Sequence, residues 1–202
     1  MPFLEGLGYG LAMVLFIGPV FFTLLRASLT YGRGGGVAVA TGIIVSDILA
    51  ATICMTGAIK LLNREVEDEW IAVAAGCILL LLGVKYILRP SVDMTKDNRL
   101  KTRGVAGLFV SGFMVNFINP FVFVVWLAIS IHATNRFKSE GDQWLFLSAV
   151  LIGLFSTALL KAVMAERLRR LLAPNVLKWV FISFGIIMIG FSIRAFLFAI
   201  TE

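Results

Sequence analysis

Long apolar runs separated by short polar stretches dominate this sequence. Each run approaches or exceeds the roughly 20 residues that a helix needs to cross about 30 Å of hydrocarbon. Lipid offers no partner to an unpaired backbone group, and the alternating pattern of a transmembrane barrel is missing from these runs, so we predict helices. The predicted spans cover about residues 3–25, 37–59, 70–88, 105–133, 144–164 and 176–200.

Composition also indicates a membrane protein. Of its 202 residues 59% are hydrophobic and 15% are charged, and the mean hydropathy is +0.95, whereas a soluble domain is near half apolar and a quarter charged. The longest polar interruption, residues 89–104, is too short to build a core. We therefore predict an all-α integral membrane protein with a single membrane domain over residues 1–202. The net charge of +6 does not indicate nucleic-acid binding, because the basic residues lie between apolar runs.

Lysine and arginine are concentrated in the odd-numbered loops between the predicted spans. Cytoplasmic loops are enriched in these residues, so we expect the odd loops to be cytoplasmic and both termini to lie outside. The N-terminal stretch MPFLEGLGYG lacks a basic region and a cleavage site, and we predict that it begins the first span. The basic residues of the odd loops are Arg26, Arg33, Arg89, Lys96, Arg99, Lys101, Arg103, Arg167, Arg169, Arg170 and Lys178.

Two apolar segments resemble each other, FIGPVFFTLL at residues 16–25 and FINPFVFVVW at residues 117–126. Each has a proline near the middle of its span, Pro19 in the first and Pro120 in the fourth. Copies that begin at spans one and four contain three helices each, so the second copy enters the membrane from the opposite side. We predict an inverted 3+3 repeat, with repeats at about 1–90 and 105–202 and a cytoplasmic linker at about 89–104. In secondary transporters of this kind, sites form near the midplane where discontinuous helices face each other.

The prolines predict breaks in the first and fourth helices. Proline inside a helix costs about 3 kcal/mol unless the freed backbone groups find partners, and in lipid those partners must be protein, trapped water or substrate. We expect freed carbonyls near residues 15 and 116, and the half-helix ends beside them, to bind a zwitterion. The alternative is a structural kink, since proline and glycine are ordinary in membrane helices.

Asp47 is a charged residue near the centre of the second predicted span. Charge at that depth costs at least about 2.5 to 3.5 kcal/mol, so such residues usually face a cavity and mark ion or substrate paths. We predict that Asp47 exchanges a proton or pairs with a substrate ammonium; the alternative is a fixed hydrogen bond to another helix. Small residues follow on the same helical face and predict close packing, namely Ala50, Ala51, Cys54 and Ala58.

Other polar residues are predicted to lie near the breaks. Asn116 and Asn119 share one helix face and can bind polar groups or join helices together. In span five, Thr157 and Lys161 follow Gly153 at helical spacing, but Lys161 is close enough to the span end to extend to water instead. The stretch YGRGGG, residues 31–36, predicts a tight turn between helices.

Cysteine and histidine give little support for metal or disulfide chemistry. Cys54 and Cys77 lack CxxC spacing, so we expect them to be buried apolar side chains. His132 is more simply an interfacial residue than a ligand, because one histidine without carboxylate or thiolate neighbours cannot build a metal site. We expect no metal and no cofactor.

Three segments together resemble the LysE/RhtB family of bacterial amino-acid exporters over essentially the full chain. They are GPVFFTLLRASLTYGRGGGVAVATGIIVSD at residues 18–47, AAGCILLLLGVKYILRP at 74–90 and GLFVSGFMVNFINP at 107–120. The resemblance implies an inner-membrane exporter, not an enzyme, that uses the proton gradient to expel amino acids or related metabolites, as a dimer. Where many relatives have an aromatic residue in span five, this chain has STALLKAV, so the type of substrate does not carry over.

These observations favour proton-coupled efflux of a small amino-acid-like solute. One aspartate without an acidic or thiolate cluster gives little support for a passive channel or a metal-ion exporter. A thiol-disulfide conduit of the CcdA/DsbD type needs cysteines beside the breaks, and residues 16–22 and 117–123 contain none. The predicted substrate and coupling residues are Gly18, Pro19, Ser46, Asp47, Asn116, Asn119, Pro120, Thr157 and Lys161.

Overall fold

A computed structural model describes residues 1–15, 18–62, 68–88, 104–165, 167 and 174–201, and every regular element in them is helical. A short 3-10 turn, Met13–Leu15, follows the first helix. Residues 63–67 and 89–103, which belong to predicted loops, lie outside the described residues together with the basic residues in them. The helices are α1 (Pro2–Ala12), α2 (Pro19–Leu62), α3 (Asp68–Leu88), α4 (Val105–Phe117), α5 (Pro120–Arg136), α6 (Glu140–Val163) and α7 (Pro174–Thr201).

The described helices are those of a multi-pass membrane protein. By length and composition two of them are apolar enough to cross a membrane, α2 over Pro19–Gly57, which is interrupted at Gly32, and α6 over Glu140–Val163. The bent pair of α4 and α5 provides a third crossing if it forms one span. The third and sixth predicted spans fall on α3 and α7. For the described part of the chain, length and composition thus support two or three crossings, and the six-helix count stays a prediction.

Helix α2 is interrupted at Gly32, whose φ of 72° and ψ of −170° lie in a region that essentially only glycine adopts. A Cβ atom added to Gly36 would lie 2.0 Å from the Ser28 Oγ, although eight residues of straight helix would separate these positions by about 12 Å. The chain therefore folds back on itself at Gly32. The structure confirms a turn within residues 31–36 and places it at Gly32, whereas the other residues of that stretch are helical.

The chain divides into two compact units, one made of residues 1–56 and 93–171 and the other of residues 57–92 and 172–202. In the second unit α3 packs against α7: the Ser192 hydroxyl donates to the Gly76 carbonyl at 2.8 Å, and a Cβ on Gly83 would lie 2.8 Å from the Gly185 carbonyl oxygen. The first unit contains an apolar cluster formed by Leu24, Ala27, Ala38, Val39, Ala40, Ile43, Leu108 and Ala162.

Glycines bring two pairs of helices together inside the first unit. A Cβ on Gly10 of α1 would lie 2.2 Å from the Val150 carbonyl oxygen of α6, and a Cβ on Gly112 of α4 would lie 2.3 Å from the Val39 carbonyl oxygen of α2. Membrane helices associate through such small residues, because apolar side chains gain little by leaving lipid. Each contact joins the first helix of one predicted repeat to the second helix of the other.

Candidate functional site

The break between α4 and α5 bends the two axes by 66°. Asn119 is the N-cap of α5, and its side-chain oxygen accepts a hydrogen bond from the Phe121 amide at 3.2 Å. Pro120 occupies the first helical position, where a missing N–H costs no hydrogen bond. The sequence Asn-Pro therefore builds a capped helix start, and the Asn119 oxygen contributes to this cap.

The backbone at this break is mostly satisfied by local bonds. The Asn116 carbonyl accepts from the Asn119 amide at 3.1 Å, and the Ile118 amide donates to the Met114 carbonyl at 3.0 Å. The prediction of a freed carbonyl is therefore wrong at Asn116, because the tightened turn supplies another donor.

At the first break, α2 starts at Pro19, and its first intrahelical bond runs from the Phe22 amide to the Gly18 carbonyl at 3.1 Å. The Thr23 hydroxyl donates to the Pro19 carbonyl at 3.0 Å. Residues 16 and 17, next to the carbonyl predicted near residue 15, lie outside the described residues.

Asp47 is the centre of a buried polar cluster contributed by α2, α4 and α5. Its Oδ1 accepts hydrogen bonds from the Asn116 Nδ2 at 2.8 Å and from the Trp126 Nε1 at 2.9 Å. The Asn116 amide group also lies 3.2 Å from the Ser46 Oγ and 3.4 Å from the Ile43 carbonyl. We call Ser46, Asp47, Asn116 and Trp126 the Asp47 cluster; all four are at most 3% exposed.

Both donors to Asp47 act on the same carboxylate oxygen. Among the described residues none donates a hydrogen bond to the other oxygen, Oδ2. Hydrogen bonds to a charged group contribute about 1.5 to 3 kcal/mol each, but an amide and an indole are neutral and do not compensate the charge itself. Because a buried carboxylate is costly without a counter-charge or a proton, this geometry favours a proton or a cation at Oδ2.

The small residues that follow Asp47 pack closely, as predicted. Ala50, Ala51 and Cys54 are at most 6% exposed, and the Cys54 thiol donates to the Phe123 carbonyl of α5 at 3.5 Å. Cys54 is therefore a buried packing residue, whereas Cys77, which we expected to be buried, is exposed. The side chain of Ala58 lies outside the described part of the chain.

Thr157 and Lys161 lie on α6, and among the described residues no hydrogen bond joins Thr157 to the Asp47 cluster. The buried Thr157 hydroxyl donates to the Leu154 carbonyl at 2.8 Å. The Lys161 ammonium lies 3.4 Å from the Met13 carbonyl and 5.6 Å from the centre of the Phe21 ring. It is thus turned toward the first helix break.

Trp126 is the member of the cluster that the sequence reasoning missed. A buried indole N–H needs an acceptor, and Trp126 lies seven residues, close to two helical turns, after Asn119. Its position on the same side of α5 as Asn119 indicates that Trp126 belongs near the predicted site. Trp126 does not stand out in the sequence, because it lies in the apolar run FINPFVFVVW.

A second polar cluster joins α1 to α5. Glu5 Oε1 lies 3.3 Å from the His132 Nε2 and 3.7 Å from the Arg136 Nε, and the Tyr9 ring stacks on His132 with centroids 5.2 Å apart. His132 is about one-third exposed. Over the described residues, no group of three His, Cys, Asp or Glu side chains could hold a metal ion.

Apolar helices that surround a buried carboxylate without a described counter-charge are typical of membrane transport proteins. A family model described as LysE type translocator matches residues 11–198. The chain belongs to the LysE type translocator family, which confirms the resemblance found in the sequence and makes this protein a membrane transporter. No curated protein and no solved structure matches it.

Proposed function

We propose that the protein exports small amino-acid-like zwitterions across the bacterial inner membrane and that Asp47 couples this export to protons. The observation that supports this most directly is the asymmetry of the Asp47 carboxylate. Two neutral donors, Asn116 and Trp126, bind Oδ1, and none of the described residues donates to Oδ2.

The proposed coupling follows from competition at Oδ2. A protonated Asp47 is neutral and attracts a substrate ammonium weakly, whereas the ionised carboxylate attracts it strongly in a site of low dielectric constant. Ammonium and proton therefore displace each other, which is what antiport requires. Asn116 and Trp126 hold Oδ1 in place, so the change of partner is confined to the other oxygen.

The helix pairing supports the proposed inverted repeat. In the first unit α1 of repeat one packs against α6 of repeat two, and α4 of repeat two packs against α2 of repeat one. In the second unit the third helices of the two repeats, α3 and α7, pack against each other. This is the pairing expected when a pseudo-two-fold axis in the membrane plane relates the repeats. An outside location of both termini and a homodimer are further parts of the proposal.

The test is to identify the exported solute. Cells that overexpress the wild type or Asp47→Asn are fed dipeptides, and the metabolites that appear outside are measured at equal membrane abundance of the two proteins. Asp142→Asn is the matched control, because Asp142 is an exposed residue in the first turn of α6. We expect amino acids to accumulate outside wild-type and Asp142→Asn cells but not outside Asp47→Asn cells. Equal export by Asp47→Asn would refute the coupling role, and export of no amino acid by the wild type would refute the substrate class.

A further inference from the structure

Four side chains connect the start of α1 to the end of α5, and we call them the α1–α5 cluster: Glu5, Tyr9, His132 and Arg136. Glu5 Oε1 lies 3.3 Å from the His132 Nε2 and 3.7 Å from the Arg136 Nε. The Tyr9 hydroxyl lies 3.4 Å from the same His132 nitrogen, and the two rings stack on each other. The cluster therefore closes the space between the two helices at this end.

The α1–α5 cluster lies at similar distances from the two helix breaks. Glu5 comes ten residues before Leu15, which is about 15 Å along α1 and the turn that follows it. His132 comes twelve residues after Pro120, which is about 18 Å along α5. Half of the hydrocarbon core of a membrane is about 15 Å thick. If the breaks lie near the midplane, as predicted, the cluster lies at one edge of the hydrocarbon core.

The cluster and the turn within α2 lie on opposite sides of Asp47. A Cβ on Gly36, just after the turn, would be 2.9 Å from the Ala162 Cβ of α6. Phe146 of the same helix contacts the His132 ring, with centroids 5.8 Å apart, and it precedes Ala162 by sixteen residues, about 24 Å. Asp47 follows Gly36 by eleven residues, about 16 Å. A solute that enters from the turn, on the predicted cytoplasmic side, thus reaches Asp47 before the α1–α5 cluster.

The two helices that the cluster joins are held in different ways. A Cβ on Gly6 would lie 2.3 Å from the Phe146 carbonyl oxygen, and one on Gly10 would lie 2.2 Å from the Val150 carbonyl oxygen. The backbone of α1 therefore rests directly on that of α6. Helix α5 contains no glycine and contacts its neighbours through side chains such as Trp126. Because side chains can exchange partners without a shift of packed backbone, α5 can move at lower cost than α1.

Ser130, one turn after Trp126 on α5, has an unsatisfied hydroxyl in the present arrangement. Its side chain is fully buried, and its Oγ has no hydrogen-bond partner among the described residues. The Thr134 hydroxyl on the next turn instead donates to the Ser130 carbonyl at 3.1 Å. A buried hydroxyl without a partner destabilises the conformation that buries it. A movement of α5 that brings water or solute to Ser130 removes this cost.

The contacts within the α1–α5 cluster suit repeated opening. The side chains of Glu5, His132 and Arg136 are 28%, 36% and 61% exposed, and ion pairs exposed to this degree contribute little stability. We propose that the α1–α5 cluster is the gate on the release side of the Asp47 site. It is closed in this structure, and α5 moves away from α1 to let the solute leave. The inference rests on the proposed export function and adds the place where the solute leaves.

The test locks this gate with a reversible cross-link. Glu5→Cys and Arg136→Cys are combined in a Cys77→Ser background, and the purified protein is treated with a short bis-methanethiosulfonate reagent that dithiothreitol cleaves. The protein is then reconstituted into proteoliposomes loaded with one of the common amino acids. We expect efflux from cross-linked protein to fall to the level of protein-free liposomes and to return after dithiothreitol. Because treatment and cleavage use one variant, misfolding cannot imitate this reversible loss.

The matched control links α5 to α6 instead of α1. Asn135→Cys and Glu140→Cys are exposed positions on either side of the short connection at residues 137–139, which already tethers these two helices. Cross-linking of this pair should leave efflux unchanged, and an equal loss there overturns the gate because any link at the end of α5 would then block transport.

The remaining outcomes separate the gate from the function on which it depends. Unchanged efflux from protein cross-linked between positions 5 and 136 overturns the gate while export stands. Failure of this pair to cross-link contradicts the contact between Glu5 and Arg136 and overturns the gate as well. If wild-type proteoliposomes release no amino acid above protein-free liposomes, the proposed function fails and the gate fails with it.

Discussion

Two neutral donors from different helices position the Asp47 carboxylate, and one of them, Asn116, also binds other groups of α2. The Asn116 amide also reaches Ser46 and the Ile43 carbonyl of α2, so it ties α4 to α2 as well as binding Asp47. Trp126 is 2% exposed, and its N–H has Asp47 as its acceptor. The two donors can therefore be tested separately.

Replacement of Trp126 by phenylalanine removes the N–H and keeps most of the ring. A hydrogen bond to a charged group contributes about 1.5 to 3 kcal/mol, so we expect Trp126→Phe to reduce proton-dependent export about tenfold or more while the protein still folds. Trp179→Phe is the control, since Trp179 is 67% exposed. The measurement is the export rate per amount of membrane protein. Equal rates for Trp126→Phe and the wild type would show that the indole does not position Asp47.

The two asparagines near the second break should respond differently to serine. Serine can replace asparagine as an N-cap, whereas alanine at an N-cap costs about 0.5 to 2 kcal/mol. We therefore expect Asn119→Ser to keep both stability and export and Asn119→Ala to lower the melting temperature. Asn116→Ser should lose export, because a serine hydroxyl is too short to reach Asp47, Ser46 and Ile43 together. If Asn119→Ser loses export as fully as Asn116→Ser, then Asn119 binds the solute and is more than a cap.

Sequence reasoning identified part of the cluster and missed part of it, for physical reasons. Asp47 and Asn116 are polar residues within apolar runs. Because such residues are costly in lipid, the sequence alone identifies them as candidate site residues. Trp126 is apolar over most of its surface, and its single N–H becomes significant only when a carboxylate on another helix accepts from it. The cap formed by Asn119 follows a known pattern, asparagine before a proline at the first helical position, but a polar side chain in an apolar run also predicts a binding residue, and the pattern alone does not decide between the two roles.

At the scale of helices, glycines decide how closely neighbours approach. Gly10 of α1 lies against the α6 backbone at Val150, whereas a Cβ on Gly8 of the same helix would meet nothing within 4 Å. The two positions are therefore a matched pair within one element.

We expect Gly10→Ala to destabilise the protein and Gly8→Ala to leave its stability unchanged or slightly raised. Overpacking typically costs about 1 to 3 kcal/mol, while alanine favours a helix over glycine by up to about 1 kcal/mol. The measurement is the melting temperature of each purified variant in detergent. A melting temperature for Gly10→Ala at or above that of Gly8→Ala would mean that α1 does not pack on α6 as described.

The interruption of α2 shows where element prediction from sequence reaches its limit. Residues 31–36 contain four glycines, any of which could reverse the chain on the basis of composition. The structure uses Gly32, whose φ is positive, and keeps Gly36 helical so that the two arms of α2 can approach at Ser28. Packing between the two arms of α2 decides which glycine adopts the positive φ. No local sequence pattern encodes that packing.

At the scale of the whole molecule, the compact units differ from the predicted repeats. Hydropathy locates apolar runs, and the proline positions suggest where a second copy begins. Neither determines which helices pair, because lipid and a neighbouring helix are equally apolar surroundings for leucine. The first unit therefore combines helices of both predicted repeats, as does the second. Such crossed packing would place the breaks of both repeats in one unit, where two halves of a transporter can form a common site.

The most direct test of proton coupling at Asp47 uses purified protein in proteoliposomes with an imposed pH gradient. Asparagine at position 47 keeps an oxygen that can accept from Asn116 and Trp126 but cannot take up or release a proton. We expect wild-type proteoliposomes to move the solute against its concentration gradient when protons flow in the opposite direction. Asp47→Asn should only equilibrate the solute or fail to move it, at any pH gradient. If Asp47→Asn at the same protein density concentrates the solute as the wild type does, Asp47 is not the coupling residue.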